Sequence, residues 1–307
     1  VIGDAGNTQK CFRLLKWYLL PKSFKTNTVS FNAMPELPEV ETIVNQLQHK
    51  VVGKKVLKVE VKDRLADSKL KSLTHFKIKN VSRRAKYIIM ALDNGQFILT
   101  HLGMTGQFFF IGKKELEEQK KEGRKFPYLL YQIAQFDFED GSILSHNNMR
   151  KFGSMKLLDK EELEKVLSKL GPEPLSNEFT LTKFQELLNK KPKANLKVTL
   201  MDQGFIAGIG NIYAQEALYH ARIDPHRKCS SLSSAEIKLL HDKIRFVLQE
   251  GIKHKGTSVE NYFHLEGEGD NQKYLTVYGK EYCPQKHHLK KVSMGGRGTT
   301  YCPMCQK

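Results

Sequence analysis

The chain reads as an α+β protein in which strands come first, helices follow and a small cysteine-bearing piece closes. Three observations predict this. Short segments rich in β-branched and aromatic residues fill 51–158, and the periodicity turns helical near 160. Three of the five cysteines, Cys283, Cys302 and Cys305, then fall in the last 25 residues.

Residues 1–33 carry Lys10, Arg13, Lys16, Lys22 and Lys25 against Asp4 alone, and 12–20 (FRLLKWYLL) suits a short amphipathic helix. That is the composition of an organelle transit peptide. A translated leader ahead of a true start at Met34 accounts for it more simply, and the segment is expected to take no part in the fold. At 34–42 the text becomes MPELPEVET. Pro38 suits the first helical position, and Glu39 and Glu41 suit the positive end of the helix dipole. Val40, Ile43, Val44 and Leu47 supply an apolar face at helical spacing.

The strand region contains KVLKVEV, KYIIMAL, GQFILTHL, GQFFFI and AQFDFEDGSILSH, divided by turn pairs such as Asn94-Gly95 and Asp140-Gly141. An antiparallel sandwich or barrel fits this spacing. The run Lys113–Lys125 is a solvated loop or short exposed helix. KEELEKVLSKL is helical and is broken by GPEPLS at 171–176, so 160–176 reads as the linker. Helical patterns follow in TLTKFQELLNK, AQEALYHARI and SSAEIKLLHDKIRFVLQEGI, the last capped by Ser233 or Ser234 with Glu236 in its first turn. From Lys273 the text returns to short strand-like pieces. The expected domains are 34–159, 177–272 and 273–307.

Lysine and arginine number 50 against 33 acidic residues, a formal charge of +17. Such an excess points to a polyanionic partner, most simply nucleic acid. It is uneven: Tyr278–Lys307 carries Lys280, Lys286, Lys290, Lys291, Arg297 and Lys307 against Glu281. No apolar run is long enough to cross a membrane. The clustered cysteines suggest a metal site and a reducing compartment, with Cys11 and Cys229 as ordinary thiols.

Eight stretches carry a resemblance: MPELPEVET, RRAKY (83–87), HLGMTGQ (101–107), RKFG (150–153), LGPEPL (170–175), GIGNIYAQEAL (208–218), VYGKE (277–281) and GGRGTTYCPMCQK (295–307). In this order they resemble the formamidopyrimidine-DNA glycosylase family, the bacterial MutM-type enzymes, over 34–307. The resemblance implies an N-terminal β-sandwich, a helix-two-turn-helix domain and a C-terminal zinc-finger-like hairpin. It also implies a bifunctional enzyme that excises oxidised purines (8-oxoguanine, formamidopyrimidines) from double-stranded DNA and then nicks the strand by β,δ-elimination. A monomer in the bacterial cytoplasm, associated with the nucleoid, goes with it; organelle targeting follows only if 1–33 is a genuine presequence.

Cutting a glycosidic bond and then the backbone calls for an amine that forms an iminium with the sugar. An N-terminal proline supplies a secondary amine on a stiff ring, and an α-amino group, near pKa ~8, is already partly neutral. The resemblance makes Pro35 that nucleophile, provided Met34 and everything before it are absent or removed. It makes the adjacent Glu36 the acid that protonates the ring oxygen, and Glu39 a further acidic position that a plain helix-dipole role explains almost as well. Lys86 becomes a site residue beside the lesion phosphate. Arg83 and Arg84 would add positive field without being claimed as contacts. Met104, Arg150 and Phe152 match the family's trio that fills the hole left by a flipped base. Lys197, Asn211 and Tyr213 match phosphate-binding positions, and Arg297 the fingertip arginine.

Two departures stand out. Where the family carries Cys-x2-Cys, this chain reads CPQKHH, with Lys286 in place of the second thiolate and the spacing after it one residue shorter. A Cys3His zinc site from Cys283, His287 (or His288), Cys302 and Cys305 is the expected substitute, since zinc accepts imidazole and thiolate alike. The family's His-Asp-His cluster is replaced by LLYQIAQFDF, so no site residue is carried over there. Two other functions compete: an endonuclease VIII-like glycosylase for oxidised pyrimidines, against which Met104 with Phe152 argues, and a non-catalytic damaged-DNA-binding protein if Pro35 is not the free N-terminus.

Overall fold

The computed structural model describes residues 34–121, 130–258 and 262–307. The 1–33 extension with Cys11, and the end of the charged run at 122–125, lie outside the described residues. Helix α1 (Leu37–Val51) buries Val40, Ile43, Val44 and Leu47 in the main core, as their spacing predicts. Over it lies the sandwich: β1 (Lys55–Val61), β2 (Thr74–Arg84), β3 (Tyr87–Leu92), β4 (Phe97–His101), β5 (Gly106–Ile111), β6 (Gln132–Phe138), β7 (Ile143–Asn148) and β8 (Ser154–Leu158). Their order is β5-β7-β6-β1-β2-β3-β4-β8, and all neighbours are antiparallel.

Strand β2 joins the two halves, pairing with β1 on one side and β3 on the other. It is the longest strand, and the sequence did not announce it. Phe76 and Ile78 alternate as a half-buried strand should, but the register slips between Ile78 and Asn80, and the next buried residue is Val81. Four lysines and arginines in its text further dilute the pattern. The charged run does form an exposed helix, α2 (Lys113–Lys121).

The stretch read as the linker opens with the helix expected in KEELEKVLSKL. Residues Lys160–Leu167 form α3, whose cap Asp159 accepts from Glu162 N at 2.8 Å. Leu163 packs on Ile89 and Leu99, so this helix belongs to the sandwich and only the segment after it crosses over. Beyond it, α4 (Leu181–Asn189), α5 (Leu196–Leu200), α6 (Asn211–His220) and α7 (Ser234–Lys253) enclose a second core, which also takes in Leu37 from the start of α1. Ser233 caps α7 with Glu236 in a capping box. The chain ends in a hairpin, β9 (Lys290–Met294) and β10 (Arg297–Tyr301). Its two-residue turn, Gly295-Gly296, has φ of +56° and +69°, the pair that a tight hairpin turn requires.

Sandwich and crossover are clamped by charge. Arg83 donates to Glu41 at 2.6 Å and to Glu173 at 2.7 Å. Arg84 donates to Glu173 at 2.9 Å and to the Gly171 carbonyl at 2.6 Å. The same carboxylate accepts Ala85 N at 2.6 Å and holds Ala85 in the left-handed region at φ +53°. These arginines are therefore largely neutralised, not a free positive field. Removing one partner of a largely buried ion cluster strands the others. Glu173→Ala is expected to lower unfolding stability by about 3 kcal/mol; a denaturant titration giving a loss below ~0.5 kcal/mol would show that solvent replaces the clamp.

Candidate active site

The site begins where α1 meets α6. Leu37 N donates to the Gly208 carbonyl at 3.0 Å, pinning the start of α1 to the glycine-rich loop. The Glu36 carboxylate then sits on the N-terminus of α6, accepting from Gly210 N at 2.7 Å, Ile212 N at 2.8 Å and Tyr213 N at 3.3 Å. Those are the N–H groups that a helix leaves unpaired. Gly210 is required there, because a Cβ would lie 2.3 Å from the Glu36 carboxyl carbon. Burial raises the Glu36 pKa above the ordinary range, opposed by Lys86 and the three N–H groups.

Glu39 is far more than a helix-dipole carboxylate. It is buried and accepts from Glu36 N at 2.9 Å, Thr257 N at 2.7 Å and the Tyr213 hydroxyl at 2.7 Å. Asn271 completes the knot, donating to Thr257 Oγ1 at 2.8 Å. Burial and then the neighbouring Glu36 push Glu39 up to about 7, against these donors. Lys86 is buried in the same region; burial depresses its pKa, Glu36 and Glu39 oppose this, and Arg297 adds to it.

Lys197 donates to Asn211 Oδ1 at 2.7 Å, and Asn211 Nδ2 donates to the Gly298 carbonyl at 3.0 Å. The N-cap of α6 is Gly210, and Asn211 is its first helical residue. Burial lowers Lys197 to about 8. Arg297 is exposed, and its charge bears on both Lys86 and Lys197. Tyr213 departs from its expected place at the phosphate. Its ring is buried and its hydroxyl is spent on Glu39, because α6 turns that face inward.

Met104, Arg150 and Phe152 lie on two loops that are tied together. Phe152 is 60% exposed, with the Arg150 guanidinium 5.4 Å from its ring centre. Arg150 N donates to Thr105 Oγ1 at 2.9 Å, tying this loop to the one bearing the half-buried Met104. At Gly103, φ is +64° and a Cβ would lie 2.5 Å from the Phe152 carbonyl carbon, so the two backbones touch. Sequence reasoning passed over His101 beside them. Its Nδ1 accepts from Gly103 N at 3.1 Å, and burial with Lys86 lowers it to about 4, so it is neutral at physiological pH. The block HLGMTGQ contains it, but an isolated histidine gives no signal of what surrounds it.

At the finger, the ligand atoms of Cys283, His287, Cys302 and Cys305 lie within 4.8 Å of one another. Cys283 Sγ and Cys305 Sγ are 3.9 Å apart, and His287 Nδ1 is 3.2 Å from Cys305 Sγ and 3.7 Å from Cys302 Sγ. Tetrahedral zinc at ordinary bond lengths asks for about 3.6–3.8 Å between ligand atoms, so the residues fit the ion. Lys286, at φ +62°, turns the chain so that the next residue, His287, supplies the fourth ligand. His288 faces away, toward Glu281. Zinc here is structural, closing the hairpin that bears Arg297.

Comparison with known proteins agrees with this geometry. Residues 34–155 match the formamidopyrimidine-DNA glycosylase N-terminal domain, 170–262 its H2TH domain, and 286–307 the zinc finger found in FPG and IleRS. The formamidopyrimidine-DNA glycosylase of Streptococcus mutans is 38% identical over 286 residues, covering 89% of this chain and all of that protein. The Lactococcus lactis Fpg in complex with DNA containing an abasic site superposes with a TM-score of 0.79 at 34% identity, covering 89% of this chain and 99% of that one. A mutant of the L. lactis protein in complex with Fapy-dG-containing DNA gives the same TM-score and identity, covering 89% of this chain and all of that one. The class is therefore that of DNA glycosylases with an H2TH domain and a zinc finger. Within it, this chain belongs to the formamidopyrimidine-DNA glycosylase family.

Because the folded pKa of Glu39 exceeds that of an exposed glutamate, the stability it contributes is complete below about pH 4.5 and is lost as pH rises through about 7. Glu39→Gln is expected to flatten that segment of the stability–pH curve; an unchanged slope in urea melts from pH 4.5 to 7.5 would refute the shift. For the finger, His287→Ala is expected to lose the zinc measured by atomic absorption while His288→Ala keeps one ion per chain. The reverse result would exchange their roles.

Proposed function

We propose that this base-excision glycosylase and AP lyase of the formamidopyrimidine family works through Pro35, Glu36 and Lys86. The observation that carries the reading is the Glu36 carboxyl, held on the N-terminus of α6 beside Pro35 with its pKa raised by burial. A buried carboxyl with a raised pKa holds its proton more readily than an exposed glutamate and can deliver it to a sugar ring oxygen.

The steps follow from the groups present. Once the Met34–Pro35 peptide bond is cut, the Pro35 nitrogen has a free electron pair. It bonds to C1′ of the damaged nucleotide, the glycosidic bond breaks, and the departing base takes the bonding electrons together with the proton that the Pro35 nitrogen sheds. Glu36 protonates the ring oxygen as the sugar opens, leaving an iminium on Pro35. Loss of a C2′ proton then expels the 3′ phosphate, and a second elimination expels the 5′ phosphate. Lys86, Lys197 with Asn211, and Arg297 stabilise the phosphates on either side. Met104 and Phe152 fill the vacated stack while Arg150 hydrogen-bonds the orphaned base. Tyr213 orients Glu39, which in turn holds the Glu36 main chain. We read one chain as acting alone on one lesion, chiefly 8-oxoguanine opposite cytosine, at the chromosome of a bacterial cell. Among the described residues no helix is long and apolar enough to cross a membrane.

Borohydride trapping on a duplex with one 8-oxoguanine opposite cytosine tests this, using a chain that starts at Met34. A covalent adduct mapping to Pro35 is expected, reduced at least tenfold (roughly) in Pro35→Gly. Tight duplex binding with no adduct would transfer the assignment to a binding protein. Faster cleavage of thymine glycol than of 8-oxoguanine would transfer it to the pyrimidine branch.

A further inference from the structure

Strand β10 has one strand neighbour, β9, and among the described residues no strand pairs with its other edge. A backbone edge of this kind must find partners elsewhere. Two groups on it, the Thr300 N–H and the Gly298 carbonyl, meet one side chain. Gln215 Oε1 accepts from Thr300 N at 2.6 Å, and Gln215 Nε2 donates to the Gly298 carbonyl at 3.3 Å. The same Nε2 donates to the Asn211 carbonyl at 2.8 Å, one turn back on α6. Gln215 is 2% exposed, so none of these bonds has ready competition from water.

A carboxamide presents a donor and an acceptor much as a peptide group does. Gln215 therefore stands in for the missing strand, with Asn211 Nδ2 adding its bond to Gly298. Gly298 follows Arg297 directly, and holding 298 and 300 sets the direction in which the 297 side chain leaves the strand. Helix α6 is also the helix whose first N–H groups grip Glu36. One rigid element thus fixes the carboxyl at its end and, a turn further on, the strand that bears the guanidinium.

We propose that Gln215 is a positioning residue for Arg297, docking the fingertip strand on α6 so that the guanidinium meets the lesion phosphate. This rests on the reading of Arg297 as a phosphate contact. The variants that test it are Gln215→Met, which keeps the bulk without the amide, Arg297→Ala, and the two combined. The readouts are affinity for the 8-oxoguanine duplex across a salt series, and zinc content.

Gln215→Met is expected to bind roughly tenfold more weakly and to lower the salt slope by about one phosphate contact (~0.9), with zinc retained. Arg297→Ala is expected to lower the slope equally, and the double variant to be no worse than Arg297→Ala alone. Wild-type binding by Gln215→Met would reduce the residue to packing. Losses that add in the double variant would show that it acts elsewhere. Arg297→Ala with wild-type affinity and slope would instead overturn the phosphate contact, and the proposal with it.

Discussion

The Glu36 carboxylate on the end of α6 is the contact on which the rest depends. It comes from the sandwich side of the molecule, and its three partners come from the helical side. A helix N-terminus is a ready site for an anion. Here the helix N–H groups are met by the protein's own carboxyl side chain, so one interaction satisfies the helix, joins the two cores and places a carboxyl beside Pro35. Leu37, one residue on, packs into the helical core and reinforces the join. Nothing bulkier than hydrogen at position 210 is compatible with it.

Around this contact the charges are arranged by burial. Glu36, Glu39 and Lys86 are all withdrawn from water, and burial pushes each toward its neutral form; Lys86 opposes this at Glu36, both carboxyls oppose it at Lys86, and Glu36 reinforces it at Glu39. The result is a small set of groups whose burial favours their neutral forms, next to a proline that has no side-chain proton to offer. Glu39 also binds the segment at Thr257 and Asn271 to the start of α1, so elements distant in sequence share one buried carboxyl.

Much of this was legible in advance, for reasons that differ by element. The apolar face of α1, the strands with plain alternation and the Ser233 cap follow from periodicity and capping chemistry, which are local. Strand β2 was hidden because a register slip interrupts the alternation on which recognition depends. Helix α3 was legible as a helix, but its packing on the sheet was not, because a single apolar residue, Leu163, is fully buried there. In the site, motif blocks pointed to Pro35, Glu36, Lys86 and Arg297, but not to the inward turn of Tyr213 or the depth of Glu39. Both depend on what packs against them from more than 170 positions away. The clamp formed by Glu173 was equally invisible, since its partners lie nearly 90 residues earlier.

His287 in the finger has a consequence for the field at the DNA surface. Four thiolates around a divalent ion leave two negative charges; three thiolates and a neutral imidazole leave one. This centre lies at the base of the hairpin that bears Arg297. Halving its charge lessens the repulsion that the phosphates meet on approach and leaves more of the arginine's field unopposed. A change of one ligand thus makes the whole fingertip more electropositive.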